Sequence, residues 1–154
     1  MALRDVEESD LPIFFEHQRD PEANRMAAFP AREWDAFVTH WRAKILGNRS
    51  AGKQAIVVDD KVVGNVLAWD QDGKRFVAYW IGREYWGRGV ATAALMEYLQ
   101  HDKRRPLHAY VVVHNVGSVR VLKKCGFRRV GEPETGPGNG APDGAEELLF
   151  QLDQ

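Results

Sequence analysis

The stretch from Tyr85 to Leu99 constrains the fold of this chain more than any other, because it has the pattern of a tight loop that opens directly into a helix. Gly87 and Gly89 carry no Cβ, so the backbone there can turn sharply and approach a ligand closely. The run from Ala91 to Leu95 is good helix-forming sequence. The first N–H groups of such a helix lack partners within it and lie at the positive end of its dipole. This arrangement favours an anion, and a phosphate or pyrophosphate is the natural occupant.

Two other kinds of phosphate loop do not fit the sequence. The chain contains no Gly-x-x-x-x-Gly-Lys-Ser/Thr, which a nucleotide P-loop requires. Position 92 is Thr, so the Gly-x-Gly-x-x-Gly pattern of dinucleotide-binding folds is incomplete. For a two-glycine loop taken alone, an ordinary helix entry is the alternative.

A second segment, from Asn115 to Phe127, supports the interpretation as a ligand site. Together the two segments resemble the GNAT family of N-acetyltransferases, whose acetyl-CoA loop, Arg/Gln-x-x-Gly-x-Gly/Ala, is followed by Asn-x-x-Ser/Ala and by a helix that ends in Gly-Phe. The form Tyr-Trp-Gly-x-Gly-x-Ala-Thr is similar to the branch that contains the ribosomal-protein alanine acetyltransferases. The resemblance covers the whole chain. Its matching residues are Trp86-Gly-Arg-Gly-Val-Ala91, Asn115, Ser118 and Gly126-Phe127.

The composition is that of one ordinary domain spanning residues 1–154. Of the 154 residues, 44% are hydrophobic and 28% are charged, which is enough to bury a full core. The formal net charge of −1 gives no broad positive field for nucleic acid or for an acidic membrane. The sequence has no apolar run near the roughly 20 residues of a membrane span and no signal-peptide core at its start. We therefore expect a cytoplasmic protein, monomeric or homodimeric, without nucleic-acid or membrane partners.

Hydrophobic periodicity and turn signals predict the elements in order. A strand over 2–6 is followed by a helix with Ser9 as its N-cap, which the segment 20–24 ends. Apolar residues at helical spacing predict a second helix over 31–46. Gly64 marks a bulge. Further strands are predicted over 54–59, 62–70, 75–82, 107–113, 127–130 and 147–152, with helices after Gly89 and over 116–125.

These elements predict a mixed α/β fold with a mostly antiparallel central sheet of about seven strands, flanked by about four helices and similar to that of the GNAT family. A right-handed crossover passes through the helix after the phosphate loop. The strand over 75–82 is apolar on both faces, as expected for a central strand covered on both sides. Residues 131–145 contain five glycines and three prolines, which is typical of a long loop. This loop is either a tolerated turn or a flap over the acceptor site.

The resemblance implies that acetyl-CoA is the cosubstrate. It places the pyrophosphate on the glycine loop and its helix, and it implies that the strands on either side of that helix splay apart. The backbone of Tyr79 to Ile81 would then pair with the pantetheine arm, as an added strand does. Asn115 matches the asparagine that bonds the arm, with a plain helix N-cap as its alternative. The residues so assigned to the cofactor are Trp80, Ile81, Trp86, Gly87, Arg88, Gly89, Val90, Ala91, Thr92, Asn115 and Ser118.

Acetyl transfer requires a neutral amine. An α-amino group, with a pKa near 8, loses its proton more readily than a lysine, with a pKa near 10.4. The related branch often uses a glutamate on the strand before the loop as the base, but Phe76 occupies the comparable place here. The remaining candidates are His114, Tyr79 and Glu84, each acting directly or through water. For His114 a structural role is the alternative.

The leaving thiolate needs only a weak donor, because a thiol has a pKa near 8.5. Many relatives use a tyrosine of the second helix, but Leu122 occupies that position. Ser118 matches the serine beside the sulfur in similar proteins, and a solvent-facing position is its alternative. Cys125 lies at a helix end without a His or Asp motif nearby, so we interpret it as a packing residue. The spacing of the histidines predicts no metal site.

We therefore expect an N-acetyltransferase that moves acetyl from acetyl-CoA to a primary amine by direct attack in a ternary complex. The acceptor is a protein N-terminus or a small-molecule amine. By the resemblance, the helices before the first hairpin shape the acceptor side. A noncatalytic acyl-CoA-binding or sensing domain of the same fold is the main alternative, and a nucleotide binder that does not use acyl-CoA is another. The residues that the resemblance places on the acceptor side are Arg25, Met26, Phe29 and Pro30.

Overall fold

The computed structural model describes residues 1–134 and 146–154, with the side chains of 132–134 left out. These residues contain a seven-stranded sheet in the order β1-β2-β3-β4-β5-β7-β6. All neighbouring strands are antiparallel except β4 and β5, which run parallel. The predicted sheet is thus confirmed, whereas most of the 131–145 loop lies outside the described residues. The strands are β1 (Ala2–Asp5), β2 (Gly52–Val58), β3 (Lys61–Gln71), β4 (Lys74–Ile81), β5 (Leu107–Val112), β6 (Arg128–Glu134) and β7 (Glu147–Leu152).

Five α-helices lie in the described part of the chain, against about four expected. The third continues without a break into a π-helical stretch over Trp41–Leu46. Short 3₁₀ turns over Glu8–Asp10 and Arg83–Tyr85 precede the first helix and the glycine loop. The helices are α1 (Leu11–Gln18), α2 (Pro21–Ala27), α3 (Trp34–His40), α4 (Val90–His101) and α5 (Val116–Lys124).

The N-terminal helices correct two predictions. Ser9 is not an N-cap, because it lies inside the 3₁₀ turn, where the backbone N–H of Glu7 donates instead to the Asp10 carboxylate at 2.8 Å. The segment 20–24 does end α1, but it also begins α2. Asp20 caps the new helix by accepting from the N–H of Ala23 at 3.1 Å, and the next residue, Pro21, suits the first helical position. The predicted helix over 31–46 begins at Trp34.

The bulge predicted at Gly64 is present beside that residue. The β2–β3 register shifts between Ile56 and Val57, so that Ile56 lies opposite Gly64 and Val57 lies opposite Val62. A Cβ on Gly64 would stand 2.3 Å from the carbonyl oxygen of Trp80 on β4. Only glycine therefore lets β3 pack this closely against the end of β4.

The core lies on both faces of the sheet. One face packs against α4 and α5, and the second packs against α1 and α3 around Phe14, Phe37 and Trp41. On α4 the residues that pack against the sheet are all buried: Val90, Ala94, Leu95, Tyr98 and Leu99.

The expectation that β4 is covered on both sides is wrong at one point. Val77 and Ile81 are buried against the α4 side, as expected for a central strand. On the opposite face Ala78 is exposed and Trp80 is half-buried. The α1 and α3 cluster reaches Ala55 of β2 and the partly buried Leu67 of β3, so that face of the sheet is open over the middle of β4.

Candidate active site

The parallel strands β4 and β5 diverge along their length. Their backbones pair only at Arg75 with Leu107 and at Phe76 with His108. Beyond these residues each strand stays paired on its outer side, β4 with β3 and β5 with β7. The divergence expected from the resemblance is therefore present, and it leaves a gap at the C-terminal ends of the two strands.

The backbone of β4 directs polar groups into this gap. Gly82 donates its N–H to the carbonyl of Val63 at 2.8 Å, so its own backbone faces β3. Because backbone direction alternates along a strand, the N–H and C=O groups of Tyr79 and Ile81 face the gap. The carbonyl of Ile81 accepts from the indole N–H of Trp86 at 2.9 Å. Trp86 thereby fixes the start of the loop to the end of β4.

The glycine loop presents a run of backbone donors. Gly87 and Gly89 have φ angles of 75° and 76°, which favour glycine, and a Cβ on either would meet nothing within 4 Å. From Gly87 to Thr92 no backbone N–H meets an acceptor among the described residues, and the next amide, that of Ala93, donates to the carbonyl of Gly89 at 3.0 Å. Six consecutive N–H groups, including the first three of α4, are thus free for a ligand.

A positive charge stands beside these amides. The guanidinium carbon of Arg88 lies 5.5 Å from the centre of the Tyr85 ring, which is within the range of a cation–π contact. Both the dipole of the 12-residue helix α4 and this side chain favour a negative ligand at the loop.

Tyr79 and Ser118, which are far apart in the sequence, meet across the gap. The phenolic oxygen of Tyr79 lies 2.6 Å from Oγ of Ser118, and either atom can be the donor. Burial raises the pKa of Tyr79 to about 12, although the Ser118 contact opposes the shift. A phenol with this pKa carries its proton at neutral pH, so the geometry favours Tyr79 as a hydrogen-bond donor over its predicted role as a base.

Asn115 caps α5, as predicted. Its side-chain oxygen accepts from the N–H of Ser118 at 3.2 Å, and Gly126, at φ 93°, follows the end of the helix. The cap occupies the oxygen of the Asn115 amide and leaves its NH₂ group to act as a donor.

His114 is held by a contact with helix α2. Its Nε2 lies 2.8 Å from the carbonyl oxygen of Arg25. A carbonyl can only accept, so Nε2 carries the hydrogen and Nδ1 of the neutral ring is left with a lone pair. The side chain is exposed, and its position combines a structural contact with a lone pair available as a base.

Glu84 is separate from this group. It lies exposed in the 3₁₀ turn before the loop. No described contact joins Glu84 to Tyr79, Ser118 or His114, and none joins His114 to the Tyr79–Ser118 pair, so only Tyr79 and Ser118 are brought together by direct contact.

Sequence reasoning missed His17, which packs under the end of β4. A Cβ on Gly82 would stand 2.9 Å from Nε2 of His17, and the carbonyl of His17 accepts from the indole N–H of Trp80 at 3.3 Å. Burial lowers the pKa of His17, and the Glu84 carboxylate opposes that shift. Its Nδ1 is buried without a partner among the described residues. A histidine in an amphipathic helix gave no local signal for this contact.

Cys125 is half-buried behind the site. Burial raises the pKa of its thiol to about 11, so the thiol is protonated at neutral pH and is a poor nucleophile. Its Sγ lies 3.8 Å from the carbonyl oxygen of Thr92, a contact that joins α5 to α4. This geometry fits its interpretation as a packing residue.

The described residues contain no group of three or more His, Cys, Asp or Glu side chains that could hold a metal ion. In the same part of the chain, each helix is too short or too polar to cross a bilayer.

Comparison with known proteins identifies the family. The profile of the Acetyltransferase (GNAT) domain matches residues 1–128, so the chain belongs to the GNAT acetyltransferase family, whose cosubstrate is acetyl-CoA. Over 81 residues the chain is 31% identical to the probable N-acetyltransferase YjcK of Bacillus subtilis (strain 168). That match covers 47% of this chain and 45% of the relative, so the chain spans less than half of that protein's length.

Solved structures share the whole fold. Spermidine N-acetyltransferase from Vibrio cholerae, in complex with CoA and spermine, has a TM-score of 0.82 at 15% identity and covers 99% of this chain and 95% of its own. Aminoglycoside acetyltransferase AAC(6')-Ib, in complex with coenzyme A, has a TM-score of 0.79 at 17% identity over 99% and 94% of the chains. A GNAT-family acetyltransferase from Bacillus anthracis has a TM-score of 0.79 at 16% identity over 98% and 93%. These likenesses confirm the fold, and they do not single out the ribosomal-protein alanine acetyltransferase branch.

Proposed function

We propose that this protein transfers acetyl from acetyl-CoA to a primary amine by direct attack in a ternary complex. One observation carries the proposal: six free backbone N–H groups stand next to an unpaired strand edge. A diphosphate and a diamide arm are the two parts of CoA that such groups can bind.

The loop amides are the proposed diphosphate site. The N–H groups from Gly87 to Thr92 belong to the loop and the first turn of α4, where the helix dipole and Arg88 both favour negative charge. The pantetheine arm then extends along the gap. The backbone N–H and C=O of Tyr79 and the N–H of Ile81 bind its amides as an added strand would, while the NH₂ group of Asn115 donates to it from the opposite side.

This placement brings the thioester beside Tyr79 and Ser118. The nitrogen of the amine attacks the thioester carbon, and the negative charge that develops on the carbonyl oxygen is stabilised by a backbone N–H of β4. The C–S bond then breaks. Ser118 donates a hydrogen bond to the departing sulfur, and Tyr79 donates to Ser118, which is sufficient because a thiolate is stable near neutral pH.

The amine must lose a proton, and the exposed Nδ1 of His114 is the proposed acceptor, directly or through water. Glu84 is the alternative base, and a bridging water is required in that case. Phe76 has no proton-accepting group, so the base differs from the strand glutamate of the related branch. An α-amino group needs less help than a lysine, which agrees with an exposed and weak base.

The acceptor of this proposed reaction is a small-molecule amine or a protein N-terminus, as in the ribosomal-protein alanine acetyltransferase branch. The spermidine and aminoglycoside enzymes that share the fold are named for amine substrates, which supports a primary amine as the reacting group. Leu122 and Phe76, at positions where relatives have catalytic side chains, favour the second candidate function, a noncatalytic acyl-CoA-binding domain.

Calorimetry with acetyl-CoA, followed by an assay of free-thiol release across a panel of amines, separates these functions. The proposed enzyme binds acetyl-CoA and releases thiol only when an amine is present. Binding without amine-dependent release from any member of the panel would favour the noncatalytic domain. A melting temperature that ATP or NAD raises more than CoA does would contradict both.

A further inference from the structure

A line of aromatic rings flanks the exposed middle of β4. On the face of the sheet opposite α4 and α5, Trp69, Phe76 and Tyr110 lie side by side on three neighbouring strands. The ring centres of Trp69 and Phe76 are 6.0 Å apart with planes at 19°, and those of Phe76 and Tyr110 are 5.3 Å apart with planes at 14°. The three rings stack across the strands as one wall, in which Phe76 is covered by its neighbours and only 4% exposed. The half-buried Trp69 and Tyr110 supply the accessible surface of this wall.

A second wall stands at the other end of the open face. The ring of Trp80 packs edge-on against Phe29, the residue after the left-handed end of α2, with centres 6.4 Å apart and planes at 72°. Between the two walls lies Ala78, whose methyl group is exposed although the strand is central in the sheet. We call this surface, formed by Phe29, Trp69, Phe76, Ala78, Trp80 and Tyr110, the aromatic groove.

The spacing of the two walls suits one ring. Phe76 and Trp80 are four residues apart, which is about 13 Å at 3.3 Å per residue. This separation of the two backbone positions leaves room over Ala78 for one aromatic ring between the walls. Phe76 is also the last residue of β4 that pairs with β5, so the groove leads directly into the gap where the thioester is proposed to lie.

The charges beside the groove do not suit a polycation. On the α2 side the carboxylate of Asp20 is paired with Arg83 at 3.2 Å, and that of Glu22 is paired with Arg25. The guanidinium of Arg32 lies 5.1 Å from the centre of the Phe29 ring. The carboxylates of Glu16 and Glu84 also act on His17 beneath Trp80, and Arg19 pairs with Glu16. Arginines and carboxylates are therefore balanced beside the groove, and no excess of negative charge attracts a polycation.

We propose that the acceptor is a primary monoamine carried on an aromatic ring, an arylalkylamine, with its ring in the aromatic groove and its amino group directed into the gap. This inference rests on the proposed function and names its substrate class. It distinguishes the protein from the structural neighbours named for spermidine and for aminoglycosides. Ala78 sets the specificity, because it keeps the space between the walls open.

Thiol release with matched amines tests this inference. We expect kcat/KM for 2-phenylethylamine to exceed that for n-hexylamine, which has a flexible apolar body, by about 3- to 10-fold, the range of one or two aromatic contacts. Spermidine and a peptide with an N-terminal alanine should be poorer still. Preference for n-hexylamine, spermidine or the peptide would overturn the inference and leave the proposed acetyl transfer standing.

Filling the groove provides the matched variant. Ala78→Leu should raise KM for 2-phenylethylamine about tenfold or more while leaving the affinity for acetyl-CoA and the melting temperature unchanged, since the site is exposed. Ala36→Leu, the same substitution at an exposed alanine of α3 outside the groove, should behave like the wild type. An unchanged KM in Ala78→Leu would contradict the proposed place of the ring.

Calorimetry on the protein saturated with CoA decides the case in which no amine releases thiol. That result would defeat the proposed catalysis by itself. Saturable binding of 2-phenylethylamine that is lost in Ala78→Leu would still support the aromatic groove as an arylalkylamine site. Absence of binding would overturn the inference as well.

Discussion

The two ends of the β4–β5 pair differ in whether their polar groups form hydrogen bonds within the protein. At the closed end Arg75 is only 6% exposed, yet its guanidinium donates to the carbonyl of Ser50 at 2.7 Å and to the Asp102 carboxylate at 3.2 Å. Tyr98 donates to the same carboxylate at 2.8 Å. At the open end, a few residues further along the same strand, the backbone of Tyr79 faces a gap with no strand across it.

This difference separates the polar groups that stabilise the fold from those that are available for binding. Buried polar groups that find partners inside the protein hold the strands together. Groups left unpaired at the surface of a gap are available to a ligand that can complete the sheet. One pair of strands therefore has a closed end that stabilises the fold and an open end that is available to a ligand. The following changes test this difference between the two ends.

The largest expected effect on stability comes from the closed end. Arg75→Ala removes the buried cationic partner of the Asp102 carboxylate, whose side chain is only 10% exposed, so we expect a loss of about 3 kcal/mol. In a domain of this size the loss lowers Tm by about 6–12 °C, as measured in a thermal melt. Asp70→Asn is the control, because this carboxylate is 51% exposed and lies 3.5 Å from Arg75, and such pairs contribute less than about 1 kcal/mol. If the Tm of Arg75→Ala lay within about 2 °C of that of the control, the contacts of Arg75 with Asp102 and Ser50 would not stabilise the closed end as proposed.

The largest expected effect on binding comes from the open end. Gly89→Asp places a carboxylate among the free amides, and the like charge should weaken CoA binding about 100-fold or more in calorimetry. Gly89→Ala is the matched control, because it shares the strain of a φ of 76° without adding charge. If both variants lose affinity equally, backbone conformation and not charge governs the loop. Unchanged affinity in Gly89→Asp would rule the loop out as the diphosphate site.

A smaller effect is expected for the hydroxyl pair in the gap. Ser118→Ala should lower kcat about tenfold and leave the affinity for acetyl-CoA unchanged, because the lost hydrogen bond stabilises only the departing sulfur. Tyr79→Phe should behave similarly, and the double variant should be little worse than either single one, since the two groups act in series. Steady-state kinetics with calorimetry provides both readouts. Additive losses would show that the two hydroxyls act independently.

The smallest effect concerns pH at the closed end. Burial opposes ionisation of Asp102, but hydrogen bonds from Tyr98, the N–H of Arg104 and Arg75 prevail, so its pKa lies below the usual range. Because this pKa is lower in the folded than in the unfolded state, the ionised carboxylate stabilises the fold above about pH 4, the unfolded value. This contribution is lost as the pH falls through the folded pKa. Urea midpoints of wild type and Asp102→Asn should therefore converge below about pH 4, and a constant difference down to pH 3 would contradict the assignment.

Local signals made much of the fold predictable. Gly87 and Gly89 indicated the loop and the start of α4, and Asn115 and Gly126 marked both ends of α5, because caps and left-handed turns depend on neighbouring residues. The bounds predicted for the last strand, 147–152, are those of β7. The resemblance added the divergence of β4 and β5, which composition and spacing do not encode.

Contacts between distant segments could not be predicted in this way. The cap at Ser9 failed because the carboxylate of Asp10 competes for the same backbone and is held there by Arg4 at 2.7 Å. His17 under β4 and the meeting of Tyr79 with Ser118 depend on how helices pack on the sheet. The exposure of Ala78 likewise depends on which parts of a face the helices reach, and a hydrophobic pattern alone predicts only that a face is apolar.

The central claim is that the amides from 87 to 92 bind the diphosphate of CoA, and amide hydrogen exchange followed by NMR tests it most directly. On saturation with CoA we expect these six N–H groups to shift and to become protected, together with those of Tyr79 and Ile81. The amides of Arg75 and Leu107 at the closed end should not change. Saturable binding that leaves the six loop amides unshifted and exchanging at their free rates would contradict the claim.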